Sequence, residues 1–96
     1  MQKLIKKNDI KELVSSLNGW SPVENNTGIK KTFKFRDFNE AFSFMKKCAH
    51  KSEEMNHHPE WSNIYNVVRV KLTTHDSGGL TSLDISLAKY MNQIEL

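Results

Sequence analysis

Residues 61–72 read WSNIYNVVRVKL, and the choice between helix and strand here settles the architecture. Val68, Val70 and Leu72 alternate with Arg69, Lys71 and Thr73, a period of two that makes a strand with one buried face. The preceding residues 61–65 are extended and Asn66 sits near a turn, so the stretch is a hairpin. The same alternation occurs upstream. From Ile29 to Phe35, Lys31, Phe33 and Phe35 share one side and Lys30, Thr32 and Lys34 the other. Before them stands Asn25-Asn26-Thr27-Gly28, rich in residues that tolerate positive φ, and before that a short extended piece around residues 20–24. Two hairpins mean antiparallel pairing.

Helices fill the spaces between. After Asn8 or Asp9 as N-cap, Ile10, Leu13, Val14 and Leu17 recur at helical spacing, with Gly19 available to close the helix. Asp37 followed by Glu40 matches a capping box. The helix behind it carries Phe38, Ala41, Phe42, Met45, Cys48, Ala49 and Ser52, a stripe expected to be core. It ends near Met55, because Pro59 disfavours helical geometry at His58. Thr81 caps a last helix with Asp84 three residues on. Leu80 and Ile85 form its hydrophobic staple, and Ile85, Leu87, Ala88, Met91 and Ile94 supply its apolar face. The order is α-β-β-α-β-β-α, an α+β domain whose helices cover one face of the sheet. The other face is open or meets a partner subunit.

Residues 1–96 are expected to form one domain, and 38% hydrophobic with 26% charged residues fits a globular protein. No apolar run approaches the roughly 18 residues of a membrane span, and the N-terminal residues lack the apolar run of a signal peptide. Cytoplasmic placement follows, with the nucleus reachable by diffusion. The single cysteine, Cys48, excludes an internal disulfide and is expected as a buried free thiol. The net charge of +3 comes with broken basic clusters (Lys3, Lys6, Lys7 and Lys11; Lys30, Lys31, Lys34 and Arg36). These are read as solvated faces, not as a nucleic-acid footprint.

Two of the four histidines, His57 and His58, stand before Pro59 in the loop that enters the second hairpin, and His75 leaves that hairpin. The topology therefore brings three imidazoles to one edge of the sheet. Glu53, one turn before His57, can join them. Three readings compete: surface loop histidines, a metal site, and metal-free acid/base chemistry. Adjacent histidines are a poor ligand pair and no second cysteine helps, so no metal is assigned. Imidazole titrates near neutral pH and can give and take protons there.

The residues Glu53-x-x-x-His57-His58-Pro59, then Trp61, Tyr65, Thr74-His75 and Asp84, resemble the signature of the pterin-4a-carbinolamine dehydratases, also known as dimerisation cofactors of a homeodomain transcription factor. FKFRDFNEAFSFM, residues 33–45, resembles that family's strand-to-helix segment. The likeness runs from Gly19-Trp20 to the last helix, with Asn56 in place of an acidic residue and Ser62 in place of an aromatic.

The resemblance implies a four-stranded antiparallel sheet with three helices, dimers joined sheet edge to sheet edge, and tetramers built through helices. It implies loss of water from a 4a-hydroxytetrahydropterin such as 4a-hydroxytetrahydrobiopterin, to give quinonoid dihydropterin for reuse by aromatic amino acid hydroxylases, without a cofactor. On it, His57 and His75 are expected as the acid/base pair, with His58 orienting the pterin. Glu53, Asn56, Pro59, Thr73, Thr74 and Asp76 flank the histidines and are expected to contact substrate. Trp20, Trp61 and Asp84 complete the candidate set, with Trp20 equally suited to a buried hairpin and Asp84 to helix capping. The rival function is a non-catalytic module that binds a transcription factor's dimerisation helix.

Overall fold

A computed structural model describes residues 2–96. Seven elements follow the expected order: α1 (Lys7–Ser15), β1 (Ser21–Pro22), β2 (Ile29–Lys34), α2 (Phe38–Met55), β3 (Glu60–Ile64), β4 (Val67–Leu72) and α3 (Ser82–Gln93). Short 3₁₀ turns occupy Glu24–Asn26 and His75–Ser77. The sheet order is β1-β2-β4-β3, antiparallel throughout, so the two hairpins join through β2 and β4.

Register places Ile29 opposite Leu72, Lys31 opposite Val70 and Phe33 opposite Val68. Ile29, Val68, Val70 and Leu72 are buried on the face that the helices cover. The opposite face carries exposed Lys30, Thr32, Lys34, Arg69, Lys71, Glu60 and Ser62. Among the described residues, no helix covers it.

The first hairpin turn forms for the reason its composition gives, whereas in the second the left-handed φ, 50°, falls on Tyr65 and not on Asn66. Asn25 and Asn26 take φ of 64° and 54°, in the left-handed region where asparagine is tolerated. β1 itself is only two residues long, shorter than the extended piece expected over residues 20–24.

Helix starts divide into those with and without a side-chain cap. Asp37 accepts from the Glu40 backbone N–H at 2.9 Å, and Glu40 reaches back to the Arg36 N–H at 2.9 Å. Thr81 and Asp84 make the full reciprocal capping box. α1 is different. It begins at Lys7, one or two residues ahead of the expected caps, and Lys6 before it makes no side-chain cap bond. Asp9 instead lies in the first turn, where the helix dipole favours a negative charge. Its C-terminus is Ser15, so Gly19, with φ of 84°, turns the following loop instead of closing the helix.

The α2 stripe is rotated from the expected one. Ala41, Phe44, Cys48 and Ser52 are buried, whereas Phe42 is 55% exposed, and Phe38 and Ala49 are also exposed. Apolar residues cover much of this helix's circumference, and spacing alone does not say which side the sheet takes. Phe44 is chosen because its ring meets Phe33 and Phe35, at 4.6 and 5.0 Å between centroids. Leu13 of α1 is likewise partly exposed, while Ile10, Val14 and Leu17 are buried. On α3, Leu87, Ala88 and Met91 are buried, together with one charged residue, Asp84.

Candidate active site

The end of α2 sets the first histidine. Asn56 adopts the left-handed conformation, φ 51° and ψ 45°. Its N–H donates to the Glu53 carbonyl at 3.2 Å, and the His57 N–H donates to the Ser52 carbonyl at 2.9 Å. These two bonds are the Schellman closure of a helix. The departure noted at position 56 therefore serves the backbone, because asparagine accepts the left-handed state more readily than most residues.

The His57 ring lies 8% exposed beside α3. Its Nε2 is 2.6 Å from Asp84 Oδ1. Asp84 is fully buried, and its second oxygen accepts from the Thr74 hydroxyl at 2.8 Å and from the Thr81 N–H at 3.0 Å. Charged groups are found fully buried when several donors satisfy them. Thr74 Oγ1 is also 2.8 Å from Thr81 Oγ1. The Thr74 backbone exchanges bonds with Gly79, holding the loop closed at 2.9 and 3.3 Å. Asp84 thus caps α3 and holds His57 with the same carboxylate.

The other two imidazoles are exposed, and each also stands beside a carboxylate. His58 Nε2 lies 2.5 Å from Glu53 Oε2. His75 Nε2 lies 3.6 Å from Glu60 Oε1, while Lys71 Nζ lies 3.7 Å from Glu60 Oε2. Glu60 was missed in the sequence reading. Its place follows from the β3–β4 register, which sets it opposite Lys71 and which the sequence alone does not fix. Through Glu60 the histidine edge adjoins a broad depression of about 710 Å³ on the open sheet face, also lined by Lys30, Ser62, Arg69 and Lys71.

The remaining candidates separate. Asn56 and Asp76 are exposed beside the histidines and Pro59 is half-buried. The Thr73 hydroxyl donates to the Thr27 carbonyl at 2.6 Å, and that of Thr74 is engaged by Asp84. Trp61 is half-buried and lines the depression. Trp20 is 5% exposed, its indole N–H donates to Asn92 Oδ1 at 3.0 Å, and its ring packs edge-on to Phe33. That is a core environment with its polar atom satisfied. Among the described residues, no group of three or more His, Cys, Asp or Glu is arranged to hold a metal ion. No described helix is long and apolar enough to cross a membrane.

Chemically, the edge offers one buried imidazole fixed by a carboxylate and two exposed ones, each beside a carboxylate, that solvent reaches. Known proteins share this chain's sequence and shape. The family model described as pterin 4 alpha carbinolamine dehydratase matches residues 3–94. A protein of Bradyrhizobium diazoefficiens named a pterin-4-alpha-carbinolamine dehydratase is 51% identical over 84 residues, 88% of this chain and 84% of that one. A protein of the same name from Rhodopseudomonas palustris is 49% identical over 94 residues, 98% of this chain and 93% of that one. The crystal structure of a transcriptional coactivator/pterin dehydratase from Brucella melitensis superposes with a TM-score of 0.90 at 42% identity, covering 94% of this chain and 96% of that one. On sequence and fold together, the chain belongs to the pterin 4 alpha carbinolamine dehydratase family.

Proposed function

We propose that this protein removes water from a 4a-hydroxytetrahydropterin, giving the quinonoid dihydropterin, by histidine acid/base catalysis. The observation that carries the reading is the set of three imidazoles, His57, His58 and His75, each paired with a carboxylate where α2 and β4 end. The substrate holds its hydroxyl and an N–H on neighbouring ring atoms. Expelling water requires one proton delivered to the hydroxyl and one taken from the nitrogen, so two side chains of complementary protonation suffice. Each is worth about 10²–10⁴ in rate. His57 and His75 fill these roles, and His58, held by Glu53, orients the ring. Asn56, Pro59 and Asp76 flank the bound pterin.

Substitution tests the roles. His75→Ala is expected to lower kcat with circular dichroism unchanged, and His58→Ala to raise KM mainly. A His75→Ala enzyme with normal kcat removes that residue from the mechanism.

The edge strand β3 supports a further part of the reading, a homo-oligomer. Among the described residues its outer backbone groups have no neighbouring strand, and Ile64 and Tyr65 beside it are 69% and 62% exposed. A second copy pairing there would cover them. The exposed, stacked rings of Phe38 and Phe42, 5.9 Å apart on α2, favour a second role compatible with the first, binding of a helical partner.

A further inference from the structure

We infer that Thr74 and Thr81 are positioning residues that lock His57 as its Nε2–H tautomer, so that Nδ1 is the atom that takes a proton from substrate. The hydrogens of the network have a forced direction. Thr74 has one hydroxyl hydrogen, which goes to Asp84 Oδ2. At the 2.8 Å contact with Thr81 the hydrogen must therefore come from Thr81. Thr81 Oγ1 in turn accepts from the Leu83 N–H at 3.3 Å. Asp84 then receives the Thr74 hydroxyl and the Thr81 N–H on Oδ2, leaving Oδ1 for His57.

A carboxylate only accepts, so the 2.6 Å bond needs a hydrogen on His57 Nε2. In the neutral ring that leaves Nδ1 with a lone pair. Among the described residues, Ser52 Oγ is the one buried side-chain polar atom without a partner. Nδ1 has no partner among the described residues yet is not such a buried atom, so it keeps some access to solvent. The Asp84 carboxylate thus selects the basic atom of His57, the buried threonine pair holds that carboxylate with Oδ1 on the ring by occupying Oδ2, and the other half of the reaction, proton delivery, is left to His75. The role for Nδ1 in turnover rests on the dehydratase reading; the tautomer itself does not.

The test pairs nitrogen-15 NMR of the histidine rings with kinetics on 4a-hydroxytetrahydropterin, for wild type, Thr74→Val and Thr74→Ser. The expected wild-type spectrum shows neutral His57 protonated on Nε2. Thr74→Val mixes the tautomers and lowers kcat about 10- to 100-fold, the scale on which partners that orient a reactive imidazole act, with KM near wild type. Thr74→Ser restores both. Neutral His57 protonated on Nδ1 in the wild type overturns the inference. So does a folded Thr74→Val protein with wild-type tautomer and kcat. If Thr74→Val does not fold, the wild-type spectrum and that of Thr74→Ser decide. A wild type locked on Nε2–H that accelerates no dehydration supports the lock and sinks the dehydratase reading instead.

Discussion

His57 answers to two neighbours at once, the Ser52 carbonyl through its backbone and the Asp84 carboxylate through its ring. Removing the ring would orphan a buried carboxylate oxygen, at a cost of about 1–3 kcal/mol. His57→Gln is the cleaner probe, because its amide can still donate to Asp84. It should fold with little loss of stability yet lower kcat by about 10²–10⁴. An unchanged kcat would remove His57 from the chemistry.

Cys48 makes a contrasting residue-scale case. Burial pushes its thiol up to about 12 from an ordinary 9.0. The unfolded thiol therefore ionises first as pH rises. The contribution is intact below pH 9.0 and is lost progressively toward about 12. Urea midpoints measured at about pH 8 and about pH 10 should fall further for wild type than for Cys48→Ala. At neutral pH the folded thiol should resist alkylation until denaturant is added.

Among the elements, the end of α2 carries the most consequence for the site. A valine at position 56 would have to hold a left-handed φ against its branched side chain. Asn56→Val is expected to destabilise by about 1–3 kcal/mol in urea unfolding and to displace His57, while Asn56→Gly should be close to neutral.

The strands were legible because alternation on β2 and β4 leaves one pairing in which Ile29, Val68, Val70 and Leu72 face the same way. The α3 start was legible because Thr81 and Asp84 combine in a capping box. The buried side of α2 was not. Phe38, Phe42 and Phe44 are equally apolar in the sequence, and only Phe33 and Phe35 across the core select Phe44. The site divides in the same way. Topology brings the histidines to one edge, but the carboxylate partners Asp84 and Glu60 come from elements whose rotation and register decide the contact.

At the scale of the whole molecule, the chain has one helix-covered sheet face, one open cationic face and an unpaired β3 edge. If copies pair through that edge, size-exclusion chromatography with light scattering should give a mass of at least two chains. Ile64→Lys should reduce it, since a charge at a strand edge opposes pairing. A wild-type monomer would remove the edge from the account.

The histidine edge is tested most directly by the dehydration of chemically generated 4a-hydroxytetrahydropterin, followed by stopped-flow ultraviolet absorbance. The wild-type protein should accelerate it strongly, with the acceleration surviving chelator and falling by about 10²–10⁴ in His57→Gln. A folded wild-type protein that leaves the spontaneous rate unchanged would contradict the account.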